Sequence, residues 1–183
     1  MNNYPYIIAG LPDLALDFRE GSFDFDALCS QIKEYCGDKR VERLIDWLTF
    51  GLKDENASPH FYSAVAKQSS RFLKEYFKFD KALREAKVAH LTNKPYDRET
   101  FAKAFDEPNL IDREKAIDIL KWQKISELTT FELFNIAQVL GFLAKAKIAE
   151  RWSRLDQKTG EEMFRTMVAE VRGTFKGIKD IQI

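Results

Sequence analysis

A chain of 183 residues that is 45% hydrophobic, with only 8 glycines and 5 prolines, has the makings of one helical domain with a substantial core. Lys+Arg and Asp+Glu both total 29, and this zero net charge weighs against nucleic acid as a partner, because phosphate-binding domains carry a basic excess. Two cysteines, no basic run at the start and no apolar stretch of the roughly 20 residues that span a membrane point to a cytoplasmic, reducing setting.

The chain opens on Tyr4-Pro5-Tyr6-Ile7-Ile8-Ala9-Gly10-Leu11-Pro12, apolar and bracketed by prolines, which predicts a short strand or an anchoring turn. A helix is predicted over 24–36, capped by Asp24 or Asp26, with Leu28, Ile32, Tyr35 and Cys36 on one face and Gly37 as its stop. Asp38 caps the next, whose stripe is Val41, Leu44, Ile45 and Leu48, with Trp47 alongside and Gly51 at the end. Residues 53–58 read as a polar loop.

Ser58 and Pro59 form a helix start, with serine at the N-cap and proline at the first helical position. From there Phe61, Val65, Ser69, Phe72, Tyr76, Phe79, Leu83, Ala86 and His90 recur at alternating steps of four and three, which keeps them on one face. An uninterrupted helix over 59–93 would be a rod of roughly 50 Å. A short helix is predicted over 97–105, capped by Asp97, and another after Asp112 that holds Ala116, Ile117, Leu120 and Ile125.

Thr129 and Glu132 have capping-box spacing and predict a second long helix over about 131–155. Leu133, Phe134, Ala137, Leu140, Phe142, Leu143, Ala146, Ile148, Ala149 and Trp152 populate nearly its whole circumference, which predicts a central, buried helix packed on the 59–93 rod. A last helix is predicted over 160–174, with Met163, Phe164, Met167, Val168 and Val171 on its inner face, followed by a tail whose residues alternate apolar and polar over 178–183. The fold class is all-α: a single domain over 1–183, an elongated helical bundle around two long helices.

Candidate chemistry is sparse. The only histidines, His60 and His90, would stand about 45 Å apart on a continuous helix, and the cysteines lie outside any CxxC, so no metal site is expected. No phosphate-binding glycine motif is present, and neither catalytic residues nor a cofactor are expected. Lys74, Lys78, Lys81, Arg84 and Lys87 form a basic strip partly neutralised by Glu75, Asp80 and Glu85. A solvated face is its plainer reading; docking on an acidic protein surface or anionic lipid is the functional one. Arg151, Trp152 and Arg154 combine the side chains common in interface hot spots, which are also those that cap and pack helices.

Three segments carry a family resemblance: Tyr4–Leu14, Asp112–Trp122 followed by Ile125–Thr129, and Ile136–Leu155 with Glu150-Arg151-Trp152 and Leu155-Asp156. They resemble an uncharacterised bacterial family encoded in V-type ATPase operons that lack an obvious gene for the C-type connector, the protein called d in eukaryotes. That connector is an all-helical funnel without catalytic residues that seats the central rotor stalk on the membrane ring. Its opening is similar to Tyr4-Pro5-Tyr6, and its helices are weakly similar to the stretch from Tyr76 to Arg84. It is also far longer and built from three related units, so this chain has room for only part of such a funnel. The resemblance implies a C-like, non-enzymatic connector whose partners are other V-type ATPase subunits, peripheral to the inner membrane through those partners. An adaptor or assembly factor outside the mature rotary complex is the alternative.

Overall fold

The computed structural model describes residues 4–11, 14–16, 24–132, 135–153 and 165. Among them the elements are α1 (Tyr4–Ala9), α2 (Phe25–Cys36), α3 (Lys39–Gly51), a 3-10 turn (Asp54–Asn56), α4 (Pro59–Val65), α5 (Arg71–Leu91), α6 (Arg98–Phe105), α7 (Leu110–Thr129) and α8 (Ile136–Ser153), and none is a strand. The helix predicted over 160–174 and the tail over 178–183 lie outside the described residues, Arg165 excepted.

The helix starts are chemically ordinary. Asp24, Asp38, Ser58 and Asp97 each accept a hydrogen bond from an amide in the first turn that follows. Gly37 ends α2 at a positive φ of 57°, donating its amide to the Lys33 carbonyl.

Four expectations are corrected. The N-terminal stretch is helical rather than a strand: Pro5 falls in the first turn of α1, where a missing N–H costs nothing, and Ile7 buries in the core. The 59–93 rod is divided into α4 and α5. The Ser70 hydroxyl accepts the Leu73 amide from an extended backbone (ψ 118°), and this side-chain cap replaces helix continuation. The second long helix begins at Ile136, where Asn135 accepts the Ala137 amide at 2.7 Å. Thr129 instead closes α7, its hydroxyl donating back to the Ile125 carbonyl. Asn109, not Asp112, caps α7. The two extended rods are thus helices of 21 and 18 residues.

Among the described residues, two apolar cores result. The larger draws on α1–α5, the C-terminal half of α7 and α8, with Ile45, Leu48, Leu73, Phe77, Ile125, Leu140 and Leu143 at its centre. Helix α8 touches α1, α2, α3, α5 and α7, the central position that its all-round apolarity predicts. It lies close on α7 at Gly141, where a β-carbon would come within 2.4 Å of Thr129 Cγ2. The smaller core holds Leu83, Ala86, Phe101, Ala104, Phe105 and Ile117, where the outer halves of α5 and α7 clamp α6.

Candidate functional site

Helix α5 passes from one core to the other across a single buried acid. Phe72, Leu73, Tyr76 and Phe77 face the larger core, Leu83 and Ala86 the smaller, and Asp80, 4% exposed, stands between them. A carboxylate taken out of water needs compensating donors. Asp80 accepts from the Tyr62 hydroxyl at 2.7 Å and from Arg84 Nε at 2.8 Å, with Lys121 Nζ at 4.0 Å. Arg84 reaches on to Asp54 at 2.7 Å, tying the 3-10 turn to α5.

Helix α7 carries the matching acid, Asp118, 1% exposed. It accepts from the Trp152 indole at 2.8 Å and from Arg151 at 3.1 Å. Arg151 also binds Glu114 at 2.6 Å, and Glu114 takes Lys87 from α5 at 2.9 Å. The result is a charged layer of four acids and four bases joining α5, α7 and α8 where the two cores meet.

The electrostatics follow the geometry. Burial raises the Asp118 carboxyl above its ordinary value, against the pull of Lys121 and Arg151. Burial also opposes the charges of Glu114, Arg84 and Arg151, but their ion pairs prevail: Glu114 is held below its ordinary value and both arginines above theirs. Burial and the hydrogen bond to Asp80 push the Tyr62 hydroxyl well up. Asp80, Glu114 and Asp118 each have at least two donors, an arrangement suited to holding helices in register.

The structure separates the predicted interface residues. Lys78 and Lys81 are exposed on α5, Lys81 paired with Glu85 at 3.6 Å, and Lys74 is half-buried. Arg84 turns inward to Asp80, and Arg151 joins it in the charged layer. Trp152, 6% exposed, is a packing residue bonded to Asp118. Arg154 lies outside the described residues. Asp80, Asp118 and Glu114 are the layer's acids that composition alone does not single out; the visible signal is an acid on the apolar phase of a helix with an arginine four residues on, Asp80 and Arg84.

His90 Nδ1 lies 3.0 Å from the Tyr96 hydroxyl, and its ring packs on Tyr96 and Phe105, a structural role beside the smaller core. Burial pushes the Cys29 thiol up to about 11 and raises Cys36 as well, so neither is primed as a nucleophile. Among the described residues no three His, Cys, Asp or Glu side chains cluster as a metal site, and no helix is long and apolar enough to cross a membrane.

A domain of a family described as a protein of unknown function (DUF2764) is found at residues 85–174, from the outer half of α5 through α6, α7 and α8. No curated protein and no solved structure matches the chain.

Proposed function

We infer that the protein is a non-catalytic, C-like connector associated with a V-type ATPase, standing between the central rotor stalk and the membrane ring. The observation that supports a force-transmitting role is the charged layer: Asp80, Arg84, Glu114, Asp118 and Arg151 bind two cores into one body across three helices. A force applied at α6 would reach α8 through paired charges and close packing rather than through a single flexible helix. The resemblance of the segments at Tyr4–Leu14, Asp112–Thr129 and Ile136–Leu155 supplies the link to the ATPase. Lys74, Lys78 and Lys81 offer a basic face to an acidic partner protein, and in this reading attachment to the membrane ring runs through protein partners.

Purification of the ATPase from native membranes tests this. The chain is expected in fixed stoichiometry with the stalk proteins. An intact, active complex lacking it would refute the connector, and recovery only with incomplete assemblies would identify an assembly factor instead.

A further inference from the structure

We propose that the cavity between α1 and α8 is a binding site for a small organic monocarboxylate with a short apolar tail, its anionic end paired with Lys145.

The cavity measures about 250 Å³ and lies where α1 and the residues just after it meet α8 and the last turn of α7. That is below the range that holds drug-sized molecules, so its occupant is small. Ile8, Leu11 and Leu14 line it from the N-terminal segment. Helix α8 contributes Gln138, Gly141, Phe142 and Lys145, whose steps of three, one and three place them on one helical face. Gly141 puts no side chain into the space. Lys145 and Gln138 stand at opposite ends of this stripe, about 10 Å apart along the axis.

Lys145 is the charge that α8 leaves unanswered. Of the four charged residues on this helix, Lys147 and Glu150 bind each other, and Arg151 binds Glu114 and Asp118. Among the described residues no carboxylate pairs with Lys145. Its ammonium instead lies 5.0 Å from the centre of the Trp122 ring, which returns part of the hydration that a half-buried cation loses. Burial alone pulls the amine below its ordinary value of 10.5, with no opposing charge to restore it.

These features select the ligand. A half-buried ammonium at the end of a largely apolar cavity is complementary to an anion that carries a hydrocarbon tail. One lysine offers a single charge, without the arginine fork or helix N-terminus that suits a phosphate. The far end is neutral, because the Gln138 side-chain Nε2 is committed to the Thr129 carbonyl at 2.7 Å. A second carboxylate on the ligand would therefore find no cation there, and the class is a monocarboxylate. The site takes nothing from the ATPase reading and stands or falls without it.

Calorimetric titration of the full chain with acetate, butanoate, hexanoate and octanoate tests it. Each methylene buried contributes about fourfold in affinity, so hexanoate is expected to bind at least about tenfold tighter than acetate. Amide resonances of Gly141 and Phe142 should shift on binding. Hexylamine, with the same tail and the opposite charge, should not bind. Lys145→Met keeps the length of the side chain and deletes its charge, and is expected to weaken hexanoate at least about tenfold. Lys145→Arg should retain most of the affinity, and circular dichroism of both variants checks that they remain folded. No binding of any of the four acids would overturn the proposal. So would hexanoate affinity indifferent to Lys145→Met, or hexylamine binding as tight as that of hexanoate.

Discussion

The backbone amide of Phe25, at the first turn of α2, donates a hydrogen bond to the buried carboxylate of Glu150 on α8, 125 positions away, at 3.2 Å. A helix N-terminus leaves amides without partners, and a carboxylate there also meets the favourable end of the helix dipole. Asp24 satisfies the Ala27 amide locally, so α2 has one cap from its own segment and one from the central helix. Lys147 completes the arrangement, binding Glu150 at 2.7 Å and lying over the Phe25 ring.

Glu150→Ala is therefore expected to destabilise the fold by about 1–3 kcal/mol, the cost of leaving a buried donor unmet. Glu150→Gln, which retains an acceptor, should lose less. Urea denaturation read by circular dichroism checks the order of the two variants, and equal midpoints would show that the long-range cap contributes nothing.

Which parts of this architecture are legible in the sequence follows from the range of the interactions that make them. Local caps are visible: Asp24, Asp38, Ser58 and Asp97 act as their spacing predicts, and the apolar circumference of α8 predicts its central seat. The break between α4 and α5 is not, because the four-and-three rhythm runs through Ser69 unbroken while α4 ends at Val65 and the Ser70 hydroxyl starts a new helix. Where two candidate caps compete, the pattern does not choose: Asn109 starts α7 three residues ahead of Asp112, and Thr129 serves α7 rather than α8. The charged layer is half legible. Asp80 and Arg84 show the spacing of an intrahelical pair, whereas Asp118 finds Arg151 and Trp152 only once α7 and α8 are packed. For the same reason Trp152, equally suited by composition to an interface, is committed to packing.

Asp118 makes a prediction about pH. Burial sets its folded pKa above the ordinary value of 3.8, so in the window between them the folded chain holds a proton that the unfolded chain releases. Acidification through that window stabilises the fold. Glu114 acts oppositely: held below its ordinary 4.5 by Arg151 and Lys87, it contributes stability above 4.5 that is lost as pH falls through its folded value. The two partly cancel in the native chain. Asp118→Asn removes the opposing contribution, so its stability should fall more steeply with acid than that of the native chain. Denaturation midpoints from roughly pH 6 to pH 3 check this. Parallel profiles would show that Asp118 titrates as an ordinary surface carboxylate.

The charged layer predicts how the two cores are coupled. Arg84→Gln combined with Arg151→Gln leaves Asp80 and Asp118 buried with weakened compensation, in the layer between the α6 core and the rest. Breaking buried pairs from one side is costly. Amides of α6 are expected to exchange at least about tenfold faster in this variant, while those of α3, wholly within the larger core, change little. Uniform acceleration across both cores would mean that they unfold as one unit regardless of the layer.

Gly141 sets how closely α8 can lie on α7. A β-carbon there would meet Thr129 Cγ2 at 2.4 Å and Ile125 Cγ2 at 3.4 Å, with Phe72 Cε2 at 3.6 Å behind them. Thr129 cannot swing away freely, because its hydroxyl is bonded to the Ile125 carbonyl and its own carbonyl accepts the Gln138 side-chain Nε2 at 2.7 Å. Relief requires the helices to part, which loosens the larger core at its centre. Gly141→Ala should therefore destabilise by about 1–3 kcal/mol despite the better helix propensity of alanine. Thr129→Ser removes the clashing methyl and should recover much of that loss when combined with it, although alone it destabilises. A double-mutant cycle measured by thermal or urea denaturation checks the coupling. Additive effects would show that the α7–α8 contact has slack at this position.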